Sequence, residues 1–376
     1  MVIFRIAVGM AGALGVLWVL SAAVRTVLVP RAETSLVNRA LFATMRRLFY
    51  LGSRVRTEPS ARDAVLARFA PTTLVMLPVL WSAGLIAGFA AIFWAVDADR
   101  TLRDAVALSG SSLTTLGFRS ADDGISVLLA IGEALIGLGI VALLISFMPT
   151  IYSAFSRREA AVYRLSIQVE TDFGTSPHAV LLVRWWQVGA VDRLNELWRE
   201  WEDWFIHMAE AQTSFPALNF FRSPQSNRHW VTTSGMALDT AAIYLSTLNV
   251  HQDASAALMI RTGYLSLRQV ADYFAIDYDH DPSPDRPISI TRDEFLEVYD
   301  ELAAAGVPVR ANREQAWRDY AGWRVNYDEV LLDLAALTHA PHAPWSSDRA
   351  LSDTKMKVWR PYALLQQRRN NDAQST

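Results

Sequence analysis

Cysteine is absent from the chain, which excludes disulfides, thiolate metal sites and cysteine nucleophiles together. Lysine is almost absent: Lys355 and Lys357 are the only two among 35 basic residues, and the rest are arginine. That bias, with abundant alanine, points to a GC-rich bacterial genome. Charge of one sign is also lacking. The net charge of −3 gives no reason to expect nucleic acid or a polyanionic partner. No Gly-rich fingerprint follows a strand-like run and no Walker sequence occurs, so no nucleotide cofactor is expected. No catalytic constellation can be recognised, and the chain is not expected to be an enzyme.

What is plentiful is apolar sequence. Hydrophobic residues make up 52% of 376, and residues 1–155 are far more apolar than the remainder. A spanning helix needs about 20 apolar residues to cross roughly 30 Å of hydrocarbon. Three stretches qualify: Ile6–Val24, uncharged and ending at Arg25; Thr72–Val96, uncharged between Arg68 and Asp97; and Gly124–Ser156, with Glu133 as its single charge before Arg157 and Arg158. Ser21-Ala22-Ala23 could pass for a signal-peptidase site. Its leading region holds only Arg5, however, and the strong positive charge follows the apolar run.

Between Pro30 and Ala70 lie Arg31, Arg39, Arg46, Arg47, Arg54, Arg56, Arg62 and Arg68, against Glu33, Glu58 and Asp63. The positive-inside rule places that loop in the cytoplasm, and Arg157 and Arg158 place the end of the third span there too. The expectation is a multi-pass protein of the bacterial inner membrane, with its N-terminus and Asp97–Asp123 outside and everything after Ser156 cytoplasmic. Within residues 31–70, Leu36, Leu41, Met45, Leu48 and Phe49 recur at helical spacing among the arginines. That pattern suits an amphipathic helix on anionic membrane lipids or one packed on the cytoplasmic domain, and periodicity does not separate the two.

Asp97–Asp123 is not an ordinary polar loop. Leu102–Leu108 is compatible with a helix, Thr101 can serve as its N-cap, and Asp104 lies in its first turn. The character then changes at Ser109-Gly110-Ser111-Ser112-Leu113-Thr114-Thr115-Leu116-Gly117-Phe118. Here the chain resembles the pore-loop potassium channels, in which a short pore helix runs into Thr-Thr-Val-Gly-Tyr-Gly between two membrane helices. The resemblance covers roughly Pro71–Phe155, and about five residues of it are diagnostic. It implies an all-α membrane protein assembled as a homotetramer: outer helix 72–96, pore helix 101–113, filter 114–119 and inner helix 124–156, with a first transmembrane helix in 1–30 ahead of them. It further implies an ion filter of Thr114, Thr115, Leu116, Gly117 and Phe118, with Thr115 and Gly117 among the ligands of a permeant potassium ion. Rings of backbone carbonyls from four chains would replace the ion's hydration shell. Glycine is needed where φ turns positive. Leu116 and Phe118 are expected to point away and pack the filter against the pore helix. Gly132, Gly137 and Gly139 are candidate hinges of the inner helix.

One departure is Arg119, which stands where the family has its final glycine. In a left-handed conformation a non-glycine residue costs about 1–2 kcal/mol. The outermost carbonyl ring is therefore expected to be rotated or absent. Four arginines would also repel cations at the mouth unless Asp122, Asp123 or Asp104 neutralises them. Three readings follow, in order: a potassium channel with a shortened filter, a weakly selective cation channel, or a non-conducting receptor or scaffold with a degenerate pore loop. Glu133, an ionisable group within a span, is expected behind the filter, bonded to the pore helix or paired with Arg103 or Arg119.

Residues 157–376 have the composition of a soluble domain. Val191–His207, Met236–Leu248, Leu265–Phe274, Arg292–Ala304, Arg313–Trp323 and Asp328–Leu337 show helical periodicity. Ser214–Ser226 and Asp277–Pro287 are loop-like, and Leu165–Val169 and Ala179–Val183 leave room for strands. Trp185, Trp186, Trp198, Trp201 and Trp204 read as a packed core or subunit interface in preference to an aromatic ligand cage. Asp277-Tyr278-Asp279-His280-Asp281 begins like an EF-hand loop but meets Pro282 and Ile288 where glycine and glutamate are required, so it reads as a solvated acidic loop. His229 has no partner at convincing spacing and reads as structural. The domain is expected to assemble or gate the pore in response to a ligand or protein partner that the sequence does not identify.

Overall fold

In hydrocarbon a backbone can satisfy its own polar groups only as a helix or a closed barrel, so long uncharged runs should be helical. The computed structural model describes residues 2–28, 36–169 and 176–350, and every regular element in them is helical apart from one isolated bridge between Leu248 and Val309. Arg31, Glu33, Lys355 and Lys357 lie outside the described residues. The chain divides into two compact units, Met1–Ser153 and Ala154–Thr376.

The first unit contains α1 (Val2–Leu28), α2 (Leu36–Arg54), α3 (Pro59–Ala67), α4 (Phe69–Val96), α5 (Leu102–Leu113) and most of α6 (Gly124–Val169). Three helical segments, Val2–Thr26, Ala61–Val96 and Gly124–Val169, are long and apolar enough to cross a membrane, which is compatible with a multi-pass membrane protein. On α1, Phe4, Met10, Leu14, Leu17 and Trp18 are exposed, a surface that suits lipid better than water.

Small residues bring α1 and α4 together. A Cβ on Gly12 would stand 2.6 Å from the Gly88 carbonyl oxygen, one on Gly9 2.7 Å from Ala95, and one on Gly84 3.0 Å from Val19. Partner numbers fall along α4 as they rise along α1, so the two helices run antiparallel. Such a seam allows the close backbone approach by which helices associate in lipid. Arg5 fastens one end. Its guanidinium lies 4.5 Å over the Trp94 ring and donates to the carbonyls of Trp94 (3.3 Å) and Asp97 (2.8 Å), where the helix dipole favours a cation. The start of α1 therefore lies beside Asp97, at the end of α4.

Helix α6, expected to end at Ser156, runs on to Val169, about 69 Å at 1.5 Å per residue. Its last turns belong to the second unit, with α7 (Pro177–Gln187), α8 (Leu194–Ser214), α9 (Trp230–Thr247), α10 (Ser255–Tyr273), α11 (Arg292–Ala304), α12 (Arg313–Arg324) and α13 (Asp328–Thr338). Neither segment that left room for a strand forms one: Leu165–Val169 is the end of α6, and Ala179–Val183 lies within α7. Both runs are short and apolar, a length at which periodicity does not tell a strand from a buried helix. Trp198, Trp201 and Trp204 are buried on α8, whereas Trp186 on α7 is exposed, so the tryptophans do not share one environment.

Candidate functional site

The short helix α5 is set by its start signal. Thr101 accepts from the Asp104 amide as N-cap, and Asp104 complements the dipole of the first turn. The helix ends at Leu113, so the segment expected as the filter begins outside it, at Thr114.

Two side chains of α5 decide where this segment lies. Ser109 Oγ is 3.1 Å from the Ile86 carbonyl oxygen on α4, and it donates to Glu133 Oε1 on α6 at 2.5 Å. One turn later, Gly137 of α6 meets α5 directly, for a Cβ there would stand 2.0 Å from the Leu113 carbonyl oxygen. The pairs 109/133 and 113/137 thus seat α5 on one stripe of the inner helix. Of the partners expected for Glu133, the structure selects α5, through Ser109. Glu133 is fully buried, and among the described residues its Oε2 has no hydrogen-bond partner. Gly132 and Gly139 face open space, and α6 is an unbroken helix through all three glycines.

Beyond α5 the backbone reverses on its own hydrogen bonds: Thr115 N–H donates to the Ser112 carbonyl and Leu116 N–H to the Ser111 carbonyl, both at 3.1 Å. Positive φ occurs at Gly117 (72°), as expected, and at Thr115 (56°). Arg119 is not in the left-handed region, so the strain expected there falls on Thr115 instead, a β-branched residue for which αL is unusual. Ser111 holds Arg119: Arg119 N–H donates to Ser111 Oγ (3.0 Å), which donates to the Arg119 carbonyl (3.1 Å).

Residues Thr114–Phe118 are all exposed. Leu116 and Phe118, expected against the pore helix, are instead 72% and 61% exposed among the described residues.

The charges expected at the mouth pair differently from the order expected. Arg119 meets Asp104 at 3.3 Å. Asp123 instead accepts from the Ser126 amide (2.8 Å), capping α6, and lies 3.7 Å from Arg100. Arg100 also reaches Asp97 (3.3 Å) and donates to Ser126 Oγ (3.2 Å), tying the end of α4 to the start of α6. Asp122 is exposed. Sequence reasoning missed Ser109, Ser111 and Arg100, since a serine or arginine carries no sign of which distant group it will meet. It also passed over Gly84-x-x-x-Gly88, whose spacing is a known signal for close helix packing.

In the second unit His229 caps α9, its Nδ1 accepting from the Val231 amide at 3.3 Å; burial, aided by Arg222 and Arg158, holds the imidazole well below its ordinary range. Asp279 is an ion-pair partner of Arg286 at 3.1 Å. Among the described residues, no three His, Asp or Glu side chains are grouped to hold a metal ion. A buried ionic core escaped the sequence reading. Fully buried Arg324 donates to Asp239 (2.5 Å), Asp328 (2.8 Å) and the Trp345 carbonyl (2.7 Å), and Tyr320 and Tyr327 donate to Asp239. No protein-family model matches this chain, and neither a curated protein nor a solved structure does.

Proposed function

We propose that the chain is the subunit of a homotetrameric, potassium-permeable ion channel of the bacterial inner membrane, with its C-terminal unit cytoplasmic. The observation that carries this reading is the placement of Thr114–Phe118. A short capped helix, held to two long apolar helices through Ser109 and Gly137, ends in an exposed segment whose backbone turns left-handed at Thr115 and Gly117. Irregular backbone at membrane depth is tolerated where it is buried in protein or lines water, and a central pore between four copies supplies both. Apolar Leu116 and Phe118, bare in one chain, would be covered by a neighbouring subunit.

In this reading Thr115, Leu116, Gly117 and Phe118 supply oxygens to a dehydrated cation, and Thr114 starts the segment at the end of α5. Glu133 and Ser109 brace the pore helix from behind. The cytoplasmic unit assembles or gates the pore, and the covalent continuity of α6 from Gly124 to Val169 is the mechanical link that supports this.

The test is potassium flux from liposomes holding the purified protein, with Gly117→Asp alongside. Flux in the wild type that the substitution abolishes is the expected result. Silence from intact wild-type tetramers under every condition of the cytoplasmic unit would leave the receptor or scaffold reading in its place.

A further inference from the structure

We infer that the outer end of this filter discriminates weakly among monovalent cations, because Ser111 draws the Arg119 carbonyl out of the ion path. The inference rests on the pore reading above and specifies what that pore passes.

A single hydroxyl can accept from a residue's N–H and donate to its C=O where both groups point to the same side. Ser111 Oγ does this to Arg119, at 3.0 and 3.1 Å. The Ser111 side chain is 1% exposed, on the face of α5 turned into its own subunit. A carbonyl aimed at it is aimed into the subunit and away from the bare edge formed by Thr114–Phe118. The oxygens offered to an entering ion therefore stop at Phe118. With a glycine at position 119 the chain could turn left-handed and present one further ring; arginine, held outside that region, does not.

The guanidinium does not take the place of the missing oxygens. Its partner Asp104 lies 3.3 Å away, with both side chains about half exposed, so each subunit brings a neutral pair to the mouth. The pair is weak in stability terms, as exposed ion pairs are, but it removes the repulsion that four bare arginines would exert. Selection by carbonyl fields depends on stripping the hydration shell at several successive rings. With the outermost ring withdrawn and the entrance neutral, an arriving ion keeps part of its water, and sodium and potassium enter on similar terms.

The experiment is the bi-ionic reversal potential of the full-length channel in planar bilayers. Wild type should favour potassium over sodium by no more than about tenfold. The double variant Ser111→Ala/Arg119→Gly frees the carbonyl and supplies a residue that tolerates left-handed backbone; its potassium preference should rise by about tenfold. A wild-type preference above about a hundredfold, or a double variant that assembles with an unchanged ratio, overturns the inference and leaves the pore intact. Asp104→Asn adds a readout that keeps the backbone clamp: cation current should fall several-fold at low salt and recover near about 1 M, where screening acts within about 3 Å. Current insensitive to that change overturns the neutral mouth. Absence of any current from wild-type tetramers would instead sink the pore reading itself.

Discussion

Gly137 of α6 and the Leu113 carbonyl of α5 share one contact, so tight that a Cβ on Gly137 would lie 2.0 Å from that oxygen. The obstacle is backbone, not the tip of a flexible side chain, so α5 must move if the glycine is filled. Overpacking of this kind costs about 1–3 kcal/mol. Gly137→Ala is expected to lower the melting temperature in detergent and to abolish or alter flux, whereas Gly139→Ala, which faces open space in the chain, should fold normally. Equal stability of the two variants would show that α5 is not seated by this contact.

Ser109 and Glu133 form the second point of attachment. Glu133→Ala removes one of the two acceptors of Ser109, leaves it the Ile86 carbonyl, and should cost about 0.5–1.5 kcal/mol. Glu133→Gln keeps an acceptor oxygen and should cost less. In a double-mutant cycle with Ser109→Ala, the two residues should couple by about 0.5–3 kcal/mol, as groups in contact do. Strict additivity would mean that Glu133 acts elsewhere.

The outline of the membrane unit was legible because lipid leaves the backbone few choices. The three apolar runs became α1, α4 and α6, and the start of α5 followed from Thr101 and Asp104. The far end of α6 was not legible. Arg157 and Arg158 mark where charge begins, but a charged helix continues as readily as an apolar one, and this one ends at Val169. Pairing was not legible either. Asp123 lies four residues from Arg119 in sequence and Asp104 fifteen, yet the Ser126 amide claims Asp123 as a helix cap and Arg119 pairs with the more distant Asp104.

Removal of Arg324 should be severe, for it would strand Asp239 without its counter-ion in a site where both are fully buried. Arg324→Met is expected to destabilise the second unit by about 3–5 kcal/mol, and Arg324→Met with Asp239→Leu to recover much of that loss. Denaturant unfolding followed by tryptophan fluorescence measures both. A double variant no better than the single would show that the tyrosines and the Trp345 carbonyl, not the charge pair, set the penalty.

His178 stacks on Trp345 with ring centroids 4.1 Å apart, and its Nε2 lies 3.8 Å from Asp239. Burial, with Arg324 adding to it, pushes its pKa down from 6.5 to about 3. The folded protein thus keeps this imidazole neutral where the unfolded chain protonates it. Stability from this group is full above pH 6.5 and is lost as pH falls from there toward about 3. Between pH 7 and pH 5 the loss should be about 2 kcal/mol, and His178→Gln should flatten it. Glu294, held down to about 2 chiefly by its hydrogen bond from Arg349, acts in the same direction at lower pH and is common to both proteins. Parallel pH profiles for wild type and His178→Gln would show that the ring is reached by solvent.

By itself the sequence determined the membrane runs, the basic loop between them, the capped start of α5 and most helices of the second unit, because each rests on local pattern: apolar length, capping chemistry or 3.6-residue periodicity. Tertiary structure alone decided that Ser111 clamps Arg119, that Gly137 is a contact with α5, that left-handed strain falls on Thr115, and that Arg324 is the hub of a buried core. Those outcomes depend on which distant groups share one place. A serine, a glycine or an arginine carries the means to make such contacts, and only the packing of the helices brings the partner within reach.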